Sequence, residues 1–376
     1  MAGKMLTTDY SYNVRDLSGA FEQIVKQSPV LSELIRISSK RAINTKHEWG
    51  EDVVTPLQWT LNAGYTAAAG SMTLVSTTGL LVNDILQFEK TTGARSTLLA
   101  KVTAVTNATT IAISVYWGST DENLLSGAII TLVSRPQLEA TSPNPTAGYE
   151  PTSEYNYTQI FDRTAKVSKT QQAVDNYLIS DAMDYQVERK LFELTYEWAN
   201  TLYNQARVQR TASEPGTMWG IMRFLKNAAG NSVDAASSAI SQTIMNNAFE
   251  LFHNNGGMNV SLIVCHPVQA RKISAFNTTG NNPQVRREDT TTGSYVTTYV
   301  SDQGDIVQIL ADRNFDKDKI ALLDMTRIQV VPLRPFQDSN AANNGDDFEA
   351  RRILGEYTLE VRNAANCHTY IYGLTV

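Results

Sequence analysis

From Gln171 to Arg207 the chain runs for 37 residues without a glycine or a proline. Val187, Leu191, Leu194 and Trp198 recur at helical spacing, and Tyr185, Phe192, Tyr196 and Tyr203 form an aromatic flank. The pattern predicts one helix over 171–207, a rod of roughly 55 Å at about 1.5 Å per residue. Such a helix is far longer than the globular average and needs other elements packed along it. Its opposite face is polar, which excludes a membrane span. A sustained coiled coil is the alternative, but the heptad pattern weakens before Gln186.

The segments before this helix have a different character. Residues 1–45 read as an arm carrying short helices. Asp16 is a plausible N-cap for Leu17, Phe21 and Ile24, and Pro29 opens a second piece through Leu31, Leu34 and Ile35. A polar stretch follows around Trp49, a residue of core or interface. Residues 62–137 lack helical period. Ser71–Val75, Ile85–Phe88, Thr97–Val102, Thr109–Trp117 and Ala128–Val133 are β-rich runs broken by Gly, Asn, Asp and Ser. They predict a small all-β barrel or sandwich, with Ala63–Ser71 as the joint of an insertion. Ala140–Gly148 is a Pro- and Gly-broken loop, and 153–168 reads as extended.

After the long helix the pattern is mixed. A second helix is expected over 238–254, with Ile240, Ile244, Ala248, Leu251 and Phe252 on one face. Val260–Cys265 reads as a strand and Pro267–Phe276 as a helix opened by proline. A long loop spans Asn277–Gly293. Tyr295–Val300 and Ile306–Leu310 form a hairpin. Ile320–Leu323, Ile328–Val331, Arg352–Val361 and Thr369–Val376 read as strands. The fold class is α+β.

Composition narrows the function. Lys and Arg number 32 against 38 Asp and Glu, a net charge of −6, which argues against a dedicated nucleic-acid binder. Met1–Tyr10 has no apolar core of a secretory signal, so a cytoplasmic place of synthesis is expected. The two cysteines do not make a disulfide framework and read as buried thiols.

Little in the sequence speaks for catalysis, a metal or a cofactor. Cys265-His266 and Cys367-His368 look like halves of a zinc site, but neighbouring strand residues face opposite ways and cannot turn both side chains to one ion. The same geometry weighs against a Cys/His nucleophile pair. Asp312–Asp318 begins with calcium-loop spacing, yet Lys317 replaces the required glycine and Leu323 the bidentate acid, so a solvated turn is expected. Glu51-Asp52 lies in a polar run where a solvated or interface role is commoner than an acid–base one.

The order of parts resembles the Hong Kong 97 (HK97) phage capsid fold. Several stretches look like SU10-type major head proteins: Glu48-Trp49 with Glu51-Asp52, Arg163–Ser168 leading into the long helix, Met218–Ile221, Asp312–Asn314 before Lys319–Asp324, and Glu356–Ala365. None is specific alone; their order is. The resemblance implies an N-terminal arm (1–45), an E-loop region (46–168) with the all-β insertion at 62–137, and a P-domain (169–254) with its spine helix 171–207. An A-domain (255–324) and returning P-domain strands (325–376) complete the chain.

It further implies a major capsid protein of a tailed bacteriophage, without enzymatic activity. Such a protein assembles in the host cytoplasm into hexamers and pentamers of an icosahedral shell around packaged double-stranded DNA. Portal and scaffolding or decoration proteins are the implied partners. Glu48, Trp49, Glu51, Asp52, Arg163 and Lys166 are the expected inter-subunit contacts, and Trp49→Ala is expected to weaken assembly more than monomer folding. The nearest rival is an encapsulin-type protein nanocompartment. A different class is a hydrolase or sugar-binding protein with 62–137 as a carbohydrate module.

Overall fold

The computed structural model describes residues 31, 35–52, 57–137, 139, 151–174, 181–278, 285–287, 296–341 and 345–376. Of the helices expected over 16–35 only Leu31 and Ile35, both buried, are among the described residues, and the loop at 140–148 lies outside them. The chain divides into two units, Met1–Trp49 with Ser153–Val376, and Gly50–Thr152. Two strands come first, β1 (Arg36–Ile37) and β2 (Lys46–Glu51).

The Gly50–Thr152 unit holds β3 (Gln58–Thr60), β4 (Ser71–Thr73), β5 (Ile85–Glu89), β6 (Arg95–Val105), β7 (Thr110–Val115) and β8 (Ile129–Ser134). All neighbours are antiparallel, in the order β3-β8-β5-β6-β7-β4. The two ends of that order meet. Leu61 bridges Leu74, and the Asn62 and Val75 N–H groups donate to Thr73 and Thr60 carbonyls, each at 2.9 Å. Among the described residues the sheet therefore closes through this bridge into a six-stranded barrel, which leaves β3 and β4 paired on both sides there. The alternation seen in the sequence is its cause. Ser96, Leu98, Ala100 and Val102 of β6 are buried while Arg95, Thr97 and Thr103 face out. Leu61, Leu74, Leu86, Phe88, Ile111 and Ile130 fill the interior from the other strands. The unit begins earlier than residue 62, because β3 is part of it. The stretch 63–71 is not a joint: Tyr65 is buried in the barrel and bridges Leu124.

β9 (Thr152–Tyr157) pairs with β2 in a two-stranded ribbon, and β10 (Gln159–Ser168) follows directly. The long helix differs from the sequence expectation. One turn, α1 (Lys169–Ala173), ends where Val174 turns extended (φ −92°, ψ 127°). α2 then covers Ala182–Asn204, 23 residues or about 35 Å. Asp181 starts α2 by accepting the Met183 and Asp184 N–H groups at 2.7 and 3.1 Å. No glycine or proline marks the break, so the sequence read as continuous. Of the expected stripe, Leu194 is buried whereas Leu191 is exposed.

Beyond α2 come α3 (Ile221–Asn227), β11 (Ser232–Asp234), α4 (Gln242–Asn254), β12 (Leu262–Cys265) and α5 (Pro267–Ser274). The strands β13 (Val285–Arg287), β14 (Val296–Val300), β15 (Ile306–Ala311), β16 (Ile320–Leu323), β17 (Ile328–Asn340), β18 (Phe348–Val361) and β19 (His368–Tyr372) complete the chain. They form a four-stranded sheet, β1-β17-β18-β10, and a seven-stranded mixed sheet, β11-β19-β16-β12-β15-β14-β13.

The second sheet is covered on both faces. Leu262, Val264, Ala321 and Leu323 point into one core with Leu202 and Tyr203 of α2 and Phe224 of α3. Ile263, Cys265, Ile320 and Leu322 point into another with Phe249 and Phe252 of α4 and Ile273 of α5. Burial on both sides is why β12 and β16 are unbroken apolar runs. α4 and α5 thus contribute to one core, and β19 belongs to the seven-stranded sheet.

Candidate functional site

The ribbon strands β2 and β9 carry three of the six expected contact residues, Glu48, Trp49 and Glu51. β2 alternates strictly: Lys46 and Glu48 are exposed, His47 is half-buried and Trp49 is buried. On the inward row His47 Nε2 lies 3.0 Å from Glu360 Oε2 of β18. The Trp49 ring packs 5.9 Å from Phe224 of α3 and 5.8 Å from His47. Asn156 of β9 is fully buried and uses both ends of its amide. Nδ2 donates to Leu359 O at 2.8 Å and Trp219 O at 3.2 Å, while Oδ1 accepts the Trp219 N–H at 2.8 Å.

Arg207, just past the end of α2, closes the ribbon from another side. Its guanidinium lies between two rings, 3.8 Å from the Tyr155 centroid and 3.5 Å from that of Trp219. Nη1 also donates to Glu154 Oε1 at 2.8 Å and to the Tyr155 carbonyl at 2.5 Å. Lys46 Nζ sits 4.4 Å over Tyr155.

Two buried carboxylates lie beneath, on the polar face of β18. Glu356 accepts from Thr158 Oγ1 at 2.7 Å, Arg210 at 2.8 Å and Arg334 at 2.9 Å. Burial pushes its carboxyl up, but these donors outweigh burial and hold it below its ordinary range. Glu360 is likewise opposed by burial, yet His47, Gln329 and Arg362 bring it down to about 2. These are structural charges, each satisfied by cations and hydroxyl or amide donors.

The remaining expected contacts do not converge on one place. Glu48 pairs with Lys46 on the outer row of β2. The Glu51 carbonyl accepts the Thr152 hydroxyl at 3.1 Å, and Asp52 is exposed. Arg163 pairs with Glu197 of α2 at 2.5 Å. Lys166 is exposed with its ammonium 5.0 Å from the Phe348 ring. Trp49, left open between core and interface, belongs to the subunit's own core. Asn156, Arg207, Glu356 and Glu360 were missed. The alternating Tyr155 and Tyr157 and the Glu48-Trp49, Met218–Ile221 and Glu356–Ala365 stretches pointed at this region without assigning these roles.

The Cys–His pairs have other work. Cys265 is buried and its thiol is pushed up to about 12 by burial. The His266 ring caps α5 by accepting the Val268 N–H at 3.2 Å. Cys367 is buried, and His368 Nδ1 accepts the Asp324 N–H at 3.2 Å. Among the described residues no three His, Cys, Asp or Glu side chains are grouped to hold a metal ion. Asp312 is not in a solvated turn: it is buried and accepts the Tyr203 hydroxyl at 2.7 Å and the Asn314 N–H at 2.8 Å.

The family model described as SU10 major capsid protein matches residues 4–375. The chain belongs to the SU10 major capsid protein family. This capsid protein is also similar in fold to the capsid of an empty GTA particle (TM-score 0.56, 8% identity, 99% of this chain and 98% of that one). A chain of Microbacterium phage Oxtober96 gives a TM-score of 0.53 at 12% identity, covering 96% and 95%. The capsid of Myoviridae Phage XM1 gives 0.51 at 10% identity, covering 100% of both. At these identities the likeness shows the fold, which is the HK97-like one. None of the curated proteins matches this capsid protein. Its function is that of a capsid shell protein, located in the virion capsid.

Proposed function

We propose that this capsid protein assembles into hexamers and pentamers of an icosahedral phage head enclosing double-stranded DNA. The observation that carries the reading is the family match over residues 4–375, joined to a fold shared along whole capsid chains. Ring assembly uses heterologous contacts that close, and many repeats of a modest contact make a robust shell. The net charge of −6 suits a wall that surrounds DNA without adhering to it. Assembly belongs in the host cytoplasm, with portal and scaffolding or decoration proteins as partners.

Residues 1–45 serve as the N-terminal arm and 46–168 as the E-loop region, with the barrel as its inserted part. Residues 169–254 and 325–376 supply the P-domain, and 255–324 the A-domain. The barrel clamps neighbouring subunits; its closed hydrogen-bonding order supports a role through side chains rather than strand pairing. Glu48, Asp52 and Lys166 are the exposed candidates for subunit contacts. Glu51, Arg163 and Trp49 act by holding their own subunit's strands.

Electron microscopy of the purified full chain tests the reading. Shells or rings are expected. Uniform small monomers over a wide range of concentration and salt would overturn it. Deleting 57–137, the barrel with its first strand β3, tests the clamp: unchanged shell formation and particle stability would remove it.

A further inference from the structure

We infer that Arg207 is a latch: seated between Tyr155 and Trp219 it clamps β9 to the core, beside the Trp49, His47 and Asn156 anchors, and the β2–β9 ribbon loosens when Arg207 leaves its slot. The inference stands on the subunit's own geometry and does not depend on the assembly reading.

A two-stranded ribbon is marginal on its own hydrogen bonds. The described sheets pair β2 only with β9, so contacts to the core decide how firmly the ribbon is held: Trp49 and His47 anchor β2, while Asn156 and Arg207 anchor β9. Arg207 carries several of them at once. It stacks on a β9 ring, stacks on the ring that precedes α3, pairs with Glu154 and donates to the Tyr155 carbonyl. Its side chain is only 14% exposed, so these contacts are largely shielded from water. A planar guanidinium is required, because a lysine ammonium cannot stack between two rings and donate in a fork. The Arg207 part of the joint is releasable in a way the buried Trp49 ring of β2 is not. Withdrawn from the slot, Arg207 regains its hydration, and the Tyr155 ring keeps Lys46 over it. The four-stranded sheet beneath has its own ladder between β18 and its neighbours β10 and β17 and needs no part of the slot.

Peptide-resolved hydrogen exchange of the full chain tests this, with Arg207→Lys, Arg207→Met, Tyr155→Phe and Tyr155→Leu compared. Exchange at 46–51 and 152–157 is expected to rise about tenfold or more in both Arg207 variants and in Tyr155→Leu, and to stay near wild type in Tyr155→Phe. Exchange at 354–361 is expected to be unchanged. Equal acceleration of the ribbon and of β18 would make Arg207 an ordinary core residue and overturn the latch. An unaffected ribbon would overturn it as well. Should the Arg207 variants fail to fold, the Tyr155 pair still separates these outcomes, because Phe keeps the ring and Leu removes it.

Discussion

The Arg135 guanidinium grips the Asp84 carboxylate with two parallel hydrogen bonds, Nε to Oδ1 at 2.9 Å and Nη2 to Oδ2 at 3.0 Å. Asp84 is fully buried in the barrel, and the same Nη2 donates to Gly79 O at 2.7 Å. The pair fixes the chain that leaves β8 against the start of β5. Arg135→Met leaves a buried carboxylate without its cation. Roughly 3 kcal/mol of barrel stability should be lost, at the low end for a buried pair because Arg135 is partly exposed. Hydrogen exchange of peptides from Ile85–Val105 measures it. Unchanged protection there would show that the pair is dispensable.

Gly220 sits where two backbones nearly touch. A Cβ there would lie 2.5 Å from the Tyr203 carbonyl carbon and 2.7 Å from the Asn204 nitrogen. Its own N–H donates to Gln205 O at 2.9 Å, so the approach is a hydrogen-bonded splice between the end of α2 and the start of α3. Gly220→Ala should cost about 1–3 kcal/mol through forced backbone movement. A urea titration reads the loss; a midpoint equal to wild type would mean the splice yields freely.

Trp49→Ala should act on folding first. The ring is 7% exposed and packed against Phe224 in the main core, so truncation creates a cavity worth roughly 3–5 kcal/mol. This reverses the sequence expectation that assembly would suffer more. The measurements are the yield of soluble monomer and its melting temperature beside particle counts. Normal monomer with absent particles would restore the interface reading.

The reasons for what the sequence disclosed are local. Period-two alternation in β6 and the apolar runs of β12 and β16 were visible because one face or both faces of a sheet were being written residue by residue. Pro267 announced α5 for a similar reason. The helix ends at Val174 and Asp181 were hidden, since no glycine or proline marks them and Asp181, a favoured N-cap type, lies inside an otherwise unbroken run. The buried Glu356 and Glu360 were hidden too. A charge on a strand reads as solvated until tertiary partners such as Arg210, Arg334 and His47 are brought beside it. Arg207 offered no local signal, because its slot is assembled from β9 and the residue before α3.

Acid should destabilise this capsid protein in two overlapping steps. Burial holds the His368 imidazole down at about 4 against an ordinary 6.5. Between those values the unfolded chain binds more protons than the folded one, so stability is whole above pH 6.5 and falls as pH drops to about 4. Glu360 is held at about 2 against an ordinary 4.5, so its contribution is whole above pH 4.5 and is lost as pH falls toward 2. Each step is worth about 3 kcal/mol at most, by the usual 1.36 kcal/mol per pH unit. His368→Asn keeps an acceptor for the Asp324 N–H but does not titrate. Its urea midpoint should change little between pH 6.5 and 5, where the wild type declines, while the fall below pH 4.5 should persist in both. Parallel decline of variant and wild type from pH 6.5 to 5 would remove His368 as the cause.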